Sequence, residues 1–265
     1  MESNIAYRFP KKGIVAKLFF IYQKMIIIAL LIVLWELLAH FSDSIYFSSL
    51  LTVVKEFNKM IASGELAKHI GTSLKISAIG LVIGQCLAIP IGALLGWYEK
   101  AYNYLDPLLT IARNTSILAI LPLFVLFLGI GDTSKIAIIV WATFFPTMLN
   151  TMQGVKHADV LLIKLARSMC VSRLGLFSKV ILPSASPYIT AGFRQSAGIA
   201  LLVIVGAEML GARYGIGYMI FQAQKSYLIP KMYVGIITIA GLGVLVNWLC
   251  TKLEQRLMTW QEKTN

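Results

Sequence analysis

The sequence predicts an all-α, polytopic membrane protein with six transmembrane helices. Hydrophobic residues make up 58% of the 265-residue chain and charged residues 14%, and the mean hydropathy is +0.76. Soluble domains carry roughly 25% charged residues. The charges are also segregated, because long uncharged stretches alternate with short basic clusters. A soluble core cannot bury this much apolar surface, so lipid is expected to surround most of the chain.

Six apolar segments reach or approach the length of a membrane span, since a bilayer core of about 30 Å takes roughly 20 residues. In chain order they are residues 25–41, 70–97, 105–128, 135–149, 189–210 and 233–250. The third opens with the half-polar stretch DPLLTIARNTS, so we expect a helix that enters from an interfacial segment. The turn GIGDTS joins it to the fourth in a tight hairpin.

The first apolar segment also fits the outline of a signal peptide, because basic residues precede it. Bulky residues follow it, however, where a signal peptide would have a small-x-small cleavage site. An uncleaved first span is therefore the favoured interpretation.

The distribution of lysine and arginine predicts that both termini are cytoplasmic. With six spans, the amino-terminal tail, the loops 98–104 and 151–187 and the carboxyl-terminal tail share one side of the membrane. That side holds fourteen basic residues and the other side seven, as the positive-inside rule requires of a cytoplasmic face. We therefore expect a multi-pass protein of the plasma (inner) membrane.

Several other classes of protein are disfavoured by the residue pattern. The net charge of +12 arises from clusters between apolar segments rather than from a polar surface, so no nucleic-acid partner is expected. The three cysteines and three histidines are scattered, which predicts neither disulfides nor a metal site. The sequence contains no G-x-x-x-x-G-K-[ST] loop and no catalytic cluster, so the chain is not expected to be an enzyme.

The second span carries a stripe of small residues at every fourth position. Its members are Gly80, Gly84, Ala88, Gly92 and Gly96. Such stripes let helix backbones approach closely in lipid, where no hydrophobic force drives association. A packing role is favoured over direct contact with a solute.

Ionisable groups within spans are candidates for a solute pathway, because burying them in lipid costs at least ~2.5 kcal/mol each. The candidates are Glu36, Arg113 with the adjacent Asn114, Arg194 and Glu208. Either arginine could instead anchor a helix end by reaching the interface. Glu208 could be a carboxylate that faces water at a helix end, and Glu36 lies on a first helix expected at the bundle edge.

A basic, amphipathic loop of 30-odd residues separates the fourth and fifth spans. Its apolar spacing predicts two short helices with a turn near residues 170–172. Pro183 and Pro187 mark the return to the bilayer. The pattern indicates a helix–turn–helix on the cytoplasmic face, with apolar residues available for a partner; an interfacial helix lying on anionic lipid is the alternative.

This loop resembles the cytoplasmic loop of ABC importer permease subunits, whose pattern is E-A-A, three residues, G, nine residues and I-x-L-P. The aligned positions are Lys164, Leu165 and Ala166 for E-A-A, the adjoining Arg167, Cys170 for G, Val180 for I, and Leu182 and Pro183 for L-P. Lys164 replaces the acid and Cys170 the glycine. A positive φ at position 170 would strain a cysteine; a turn shifted to residues 172–173 would avoid that strain.

Three further stretches are similar to the nitrate, sulfonate, taurine and bicarbonate branch of that family. They read SGELAKHIGTSLKISAIGLVIG, LGIGDTSKIAIIVWATFFPTMLNTMQGV and AEMLGARYGIGYMI, and the resemblance extends over most of residues 64–253. The segment GARYGIGYMIFQAQKSYLIP resembles a short re-entering element, with a plain external connection as the alternative. The branch usually has a proline-rich run after an arginine. This sequence departs from the branch there, because residues 113–116 read Arg-Asn-Thr-Ser.

The resemblance implies the type I ABC importer permease fold and a subunit that couples solute transport to a separate ATPase. Expected partners are a second permease copy, ABC ATPase subunits, an extracytoplasmic solute-binding protein and membrane lipid. The chain itself would need no cofactor, since ATP and Mg²⁺ bind the ATPase. A small anion such as nitrate, sulfonate, taurine or bicarbonate is the expected solute. A stand-alone secondary transporter is the alternative, although no convincing internal repeat supports it.

The expected organisation has three parts. Residues 1–66 comprise a basic tail, the first span and an external connection, and residues 67–253 form the permease domain with its coupling loop at 151–187. Residues 254–265 form a cytoplasmic tail.

Overall fold

The computed structural model describes residues 14–41 and 46–257, which fold into helices joined by short connections, with no β-strand in these two ranges. The helices are α1 (Ile14–Phe41), α2 (Leu50–Ala62), α3 (Glu65–Trp97), α4 (Glu99–Asn114), α5 (Ile117–Leu128), α6 (Asp132–Lys156), α7 (Val160–Ser168), α8 (Arg173–Leu176), α9 (Leu182–Ser184), α10 (Ser186–Met209), α11 (Ile216–Lys225) and α12 (Ile229–Leu257). A π-helical turn, Phe177–Ile181, joins α8 to α9. The all-α class is confirmed. The predicted tail residues 1–13 and 258–265 lie outside the described residues.

Four helices are long and apolar enough to cross a bilayer. They are Glu65–Trp97, Asp132–Lys156, Ser186–Met209 and Ile229–Arg256, which correspond to the second, fourth, fifth and sixth predicted spans. The predicted first span coincides with an apolar part of α1, Met25–Phe41, which is shorter than the roughly 20 residues that a straight span takes. The predicted third span has a different form.

The third predicted span consists of two helices, because the chain bends by 93° between α4 and α5. Thr115 and Ser116 adopt extended backbone conformations at the bend, and the Thr115 hydroxyl donates a hydrogen bond of 2.8 Å to the Ile111 carbonyl. At 1.5 Å per residue, the 12 residues of α5 extend only about 18 Å. The described residues therefore contain four helices that are long enough to span a bilayer, or five spans if the bent pair is counted as one, and the predicted number of six is not confirmed.

The small-residue stripe of α3 faces α6. A Cβ atom added at Gly80 would lie 2.7 Å from Ile139, and one at Gly96 would lie 2.7 Å from Val155. One at Gly84 or Gly92 would collide with α6 as well, and Ala88 is fully buried. The backbones of α3 and α6 are therefore in close contact along most of their length, as small residues permit in lipid.

Helix α10 joins this pair through buried hydroxyl groups. Ser196 donates a hydrogen bond of 2.9 Å to the Thr143 carbonyl, and its oxygen lies 2.8 Å from the Thr147 hydroxyl. All three residues are buried. Interhelical hydrogen bonds of this kind are worth about 0.6 kcal/mol each in membrane proteins, so they fix the register of α6 and α10 more than they add stability.

The carboxyl-terminal end of α1 is attached to the start of α2. The Trp35 indole donates to the Ser48 carbonyl at 3.1 Å, and its ring meets Tyr233 edge-on with 4.8 Å between centroids. The Glu36 carboxylate accepts a hydrogen bond of 3.0 Å from the Leu50 amide. Leu50 is in the first turn of α2, where the amide groups have no hydrogen-bond acceptor within the helix. Glu36 therefore acts as a helix cap at the edge of the bundle.

Candidate functional site

An open cavity of about 690 Å³ lies among α4, α5, α6 and α10. Its lining consists of Arg113, Asn114, Thr115, Ile117, Trp141, Ala142, Phe145, Pro146, Leu149, Asn150, Gln153, Gln195, Ile199, Leu202 and Val203. These residues come from the bend between α4 and α5, from residues 141–153 of α6 and from residues 195–203 of α10. The cavity therefore lies about midway along α10 and extends toward the end of α6 that leads to the α7–α8 loop.

Polar side chains line one part of the cavity. Arg113 and Asn114 are the last two residues of α4 and reach the cavity because the chain bends directly after them. Asn150 donates from its amide nitrogen to the Pro146 carbonyl at 2.8 Å and to the Gln195 side-chain oxygen at 3.3 Å. The two amides are thus held in place across the contact between α6 and α10.

Arg113 supplies a positive charge that forms no ion pair with another described residue. Within the described part of the chain, no carboxylate lies within 4.0 Å of its guanidinium nitrogens, and the side chain is exposed. An unpaired cation in a cavity with low-dielectric walls raises the local concentration of anions. The cavity therefore suits a negatively charged solute.

The remaining walls of the cavity are apolar. Trp141 meets Phe145 edge-on with 5.3 Å between ring centroids and lies 6.3 Å from Phe124. Leu149 and Ile199 add aliphatic surface. Small-molecule sites commonly combine such walls with a few fixed polar groups. The geometry fits a small molecule with an anionic end and a short apolar part.

Arg194 lies elsewhere, although the sequence pairs it with Arg113 as a pathway candidate. Its guanidinium forms an ion pair of 2.9 Å with Glu254, which joins α10 to α12. It does not line the cavity. The structure therefore separates the two arginines: Arg113 faces the cavity, whereas Arg194 connects two helices.

Glu208, in the last turn of α10, is fully buried next to the start of α11 and also lies outside the cavity. Its two carboxylate oxygens accept hydrogen bonds from the Ser73 hydroxyl at 2.7 Å and the Gly217 amide at 2.8 Å. Ser73 in turn accepts a hydrogen bond of 2.9 Å from the Ile216 amide. A carboxylate at a helix amino terminus satisfies free amides and complements the helix dipole. Glu208 thus anchors α11 to α3 and α10.

Helix α11 is packed into the bundle rather than exposed as a plain connection. Ile216, Met219 and Ala223 are buried against neighbouring helices. Gly215, with φ 127°, precedes the helix, and a Cβ atom there would overlap the Glu208 carboxylate. Glycine is needed at this position both for the backbone conformation and for the approach of Glu208.

The amphipathic loop contains both expected helices, α7 and α8, with a turn at Cys170. Cys170 has φ 54°. The Cys170 amide donates to the Arg167 carbonyl at 3.0 Å and the Val171 amide to the Ala166 carbonyl at 3.2 Å, which is the Schellman arrangement that usually carries glycine. The turn is therefore at the position aligned with glycine, not shifted to residues 172–173.

The other loop positions divide between the interior and the surface. Ala166 is buried, and Val180 and Leu182 are half-buried in the same cluster with Ile181. The exposed positions are Lys164, Leu165, Arg167 and Pro183. The buried group fixes the loop to the bundle, and the exposed group is free to meet a partner.

The sequence-based reasoning missed Trp141, Asn150, Gln153 and Gln195 as cavity residues. Asn150 and Gln195 are uncharged but strongly polar residues in apolar helices. Such residues in a span indicate a functional site, so the sequence contained a signal for both. Their convergence depends on the pairing of α6 with α10, which the sequence does not reveal. Among residues 14–41 and 46–257, no three His, Cys, Asp or Glu side chains are placed to hold a metal ion.

Long apolar helices that enclose an open cavity are typical of a membrane transport protein. Residues 88–259 match the family described as binding-protein-dependent transport system inner membrane component. The chain is 36% identical over 235 residues to the putative aliphatic sulfonates transport permease protein SsuC of Bacillus subtilis, covering 88% of this chain and 85% of the relative. It is 33% identical over 195 residues to the taurine transport system permease protein TauC of Escherichia coli K12, covering 74% and 71%.

The fold is similar to a chain of the MetNI methionine ABC transporter in an inward-facing conformation. The TM-score is 0.66 at 17% sequence identity, and the match covers 73% of this chain and 96% of that chain. The predicted type I importer permease fold is thereby confirmed. The chain belongs to the family of inner membrane components of binding-protein-dependent transport systems, the permease subunits of ABC importers.

Proposed function

We propose that two copies of this chain form the solute pathway of an importer for a small organic anion of the sulfonate or taurine type. The observation that carries the proposal is the unpaired Arg113 beside the Asn150–Gln195 amide pair in the cavity. A guanidinium offers several donors in a fixed plane to an oxyanion. The relatives named for aliphatic sulfonates and taurine support the same solute class.

The apolar walls favour organic sulfonates over nitrate or bicarbonate. Trp141, Phe145 and Leu149 can cover the carbon chain of an alkyl sulfonate, whereas an inorganic anion has no apolar surface to bury. Burial of one methylene contributes about 0.8 kcal/mol. Chain length should therefore influence transport through the permease as well as capture by the binding protein.

Coupling to a separate ATPase is supported by the exposed apolar side of α7. Leu161 is 65% exposed, Leu165 53% and Met169 74%. These residues lie on one side of the helix, as their spacing of four requires. An exposed apolar stripe on a cytoplasmic loop indicates a protein partner. ATP and Mg²⁺ would bind that partner.

The complete importer would have a further component, an extracytoplasmic binding protein that delivers the solute. Both termini of this chain would be cytoplasmic.

The proposal can be tested by uptake of taurine and short alkyl sulfonates into proteoliposomes that contain the permease, its ATPase and its binding protein. Arg113→Gln is expected to lower uptake at least about tenfold, because a charge-assisted hydrogen bond to the solute is lost. Its thermal stability should not change, since the Arg113 guanidinium makes no ion pair with another described residue.

Arg194→Gln is the matched control, since it removes the same charge from a position outside the cavity. It should lower the thermal unfolding midpoint by breaking the ion pair with Glu254, with a smaller effect on uptake per folded transporter. Full uptake by Arg113→Gln would contradict the assigned role of the cavity. Uptake that never depends on the binding protein would contradict the importer assembly.

A further inference from the structure

A second cleft, of about 610 Å³, lies where α3 meets the α7–α8 loop. Its lining consists of Leu94, Trp97, Tyr98, Arg167, Val171, Arg173, Leu174, Leu176 and Phe177. We call it the α3–loop cleft. It combines two guanidinium groups with three aromatic rings, and no acidic residue is part of its lining.

The two arginines of the α3–loop cleft are available to bind an anion. Arg167 and Arg173 are exposed, and neither forms a salt bridge with any carboxylate in the parts of the chain that the structure describes. Two like charges that line one cleft without a counter-ion repel each other. A bound anion with several oxygens would relieve this repulsion and accept hydrogen bonds from both groups.

The position of the cleft is that of a membrane interface. It lies at the end of the long apolar helix α3, and Trp97 and Tyr98 are the residues at which that helix ends. Tryptophan and tyrosine are enriched at this depth because their rings are apolar and their tips polar. Trp97 is fixed there by an edge-on contact with Phe177, with 5.3 Å between ring centroids.

An apolar track leads from the cleft along α3. Leu94 is 53% exposed, Ile91 39% and Leu87 47%. Their spacing of three and four places them on one side of the helix, directly above the cleft. The cleft therefore continues as an apolar surface toward the bilayer centre.

We propose that the α3–loop cleft binds an anionic phospholipid. Arg167 and Arg173 hold the phosphate of the headgroup, Trp97 and Tyr98 pack beside the glycerol region, and one acyl chain follows Leu94, Ile91 and Leu87. The lipid joins α3 to the loop that contacts the ATPase. The anionic lipid content of the membrane is then expected to influence how firmly this loop is held, and thus the coupling of ATP hydrolysis to transport.

The ATPase is the other conceivable source of an anion for these arginines, and the geometry of α7 favours lipid. At roughly 100° per residue, Arg167 is about 160° around the helix from Leu165. By the same measure it is about 120° from Leu161 and about 160° from Met169. A partner seated on Leu161, Leu165 and Met169 therefore meets a different side of α7 from Arg167, whereas a lipid beside α3 lies directly against the cleft.

The test uses the complete transporter, with its ATPase subunits, analysed by native mass spectrometry after exchange into phosphatidylglycerol or phosphatidylcholine. The wild-type complex should retain phosphatidylglycerol and exchange phosphatidylcholine freely. The double variant Arg167→Gln/Arg173→Gln should weaken phosphatidylglycerol binding about 30-fold, since each basic residue near the surface strengthens binding roughly fivefold. Arg167→Lys/Arg173→Lys keeps the charges and should retain most of the binding.

Lys179→Gln/Lys252→Gln is the matched control, because it removes two basic residues that are outside the cleft. It should bind phosphatidylglycerol as the wild type does. Equal loss in both double variants would show a diffuse charge effect and overturn the site. Competition by millimolar inorganic phosphate would identify a soluble anion site instead. Loss of ATPase subunits from the Arg167→Gln/Arg173→Gln complex with lipid retained would assign the arginines to the ATPase and also overturn the proposal.

Discussion

Cys170 adopts the left-handed conformation of the turn after α7, which is unfavourable in free energy for a residue other than glycine. The Schellman hydrogen bonds that end α7 require a left-handed residue at this position. For residues other than glycine, that conformation costs roughly 1–2 kcal/mol. The surrounding cluster, which includes Ala166 and Val171, holds the turn in place.

Cys170→Gly is therefore expected to stabilise the protein by about 1 kcal/mol, offset in part by the greater freedom of glycine in the unfolded chain. The measurement is the thermal unfolding midpoint in detergent. Cys86→Gly is the control, because Cys86 lies within α3, where glycine costs up to about 1 kcal/mol. The two substitutions should shift the midpoint in opposite directions; a decrease at Cys170 would show that the turn is not strained.

Glu208 is the residue on which the position of α11 depends. Glu208→Ala would leave the buried Gly217 amide and the Ser73 hydroxyl without an acceptor, at a cost of about 1–3 kcal/mol for each unsatisfied group. We expect faster hydrogen exchange of the amides at residues 216–220. Glu56→Gln, which neutralises a carboxylate on α2, should leave that exchange rate unchanged. Equal exchange in the two variants would refute the anchoring role.

At the scale of elements, the contact between α3 and α6 organises the bundle. The repeat of small residues every four positions predicted that α3 packs closely against another helix, but not that the other helix is α6. The partner side of the contact carries β-branched residues rather than small ones at the same spacing of four, among them Ile139, Thr143 and Val155. The residue pattern of α3 alone does not show which of the other helices has the complementary surface.

Gly92→Ala tests this contact directly. The added methyl group would collide with the Met148 carbonyl, a backbone atom that cannot turn away, so the two helices must separate. We expect a loss of about 1–3 kcal/mol, as is typical of overpacking. Gly71→Ala on the same helix has nothing within 4 Å and should be neutral or stabilising. Equal thermal stability of the two variants would contradict the close approach.

At the scale of the whole molecule, the features predicted from sequence are those that depend on local physics. Hydropathy located the long helices, and the apolar spacing of the loop predicted a turn near residues 170–172. The bend after Asn114 was not foreseen, because Thr115 and Ser116 are compatible with a helix and only the tertiary packing of α5 selects the bent form. Arg113 was identified as a candidate because it is charged, whereas Asn150 and Gln195 gain their significance only where α6 meets α10.

The exposed side of α7 implies a partner that is matched to this chain in charge as well as in shape. Lys164 is exposed, about 100° around α7 from Leu165, and occupies a position where the family pattern has an acid. A lysine that faced a basic ATPase groove would be repelled, so we expect an acidic residue opposite it in the native ATPase. Interfacial charge pairs fix register and exclude wrong partners more than they add affinity.

Lys164→Glu should therefore place two acids together and lower the number of solute molecules imported per ATP hydrolysed. The measurement is binding-protein-dependent uptake alongside ATPase activity in proteoliposomes. Lys164→Gln, which removes the attraction without adding repulsion, should have a smaller effect. Replacement of the facing acid of the ATPase by lysine should restore coupling in the Lys164→Glu complex. Unchanged coupling in Lys164→Glu with the native ATPase would show that no such acid faces this position.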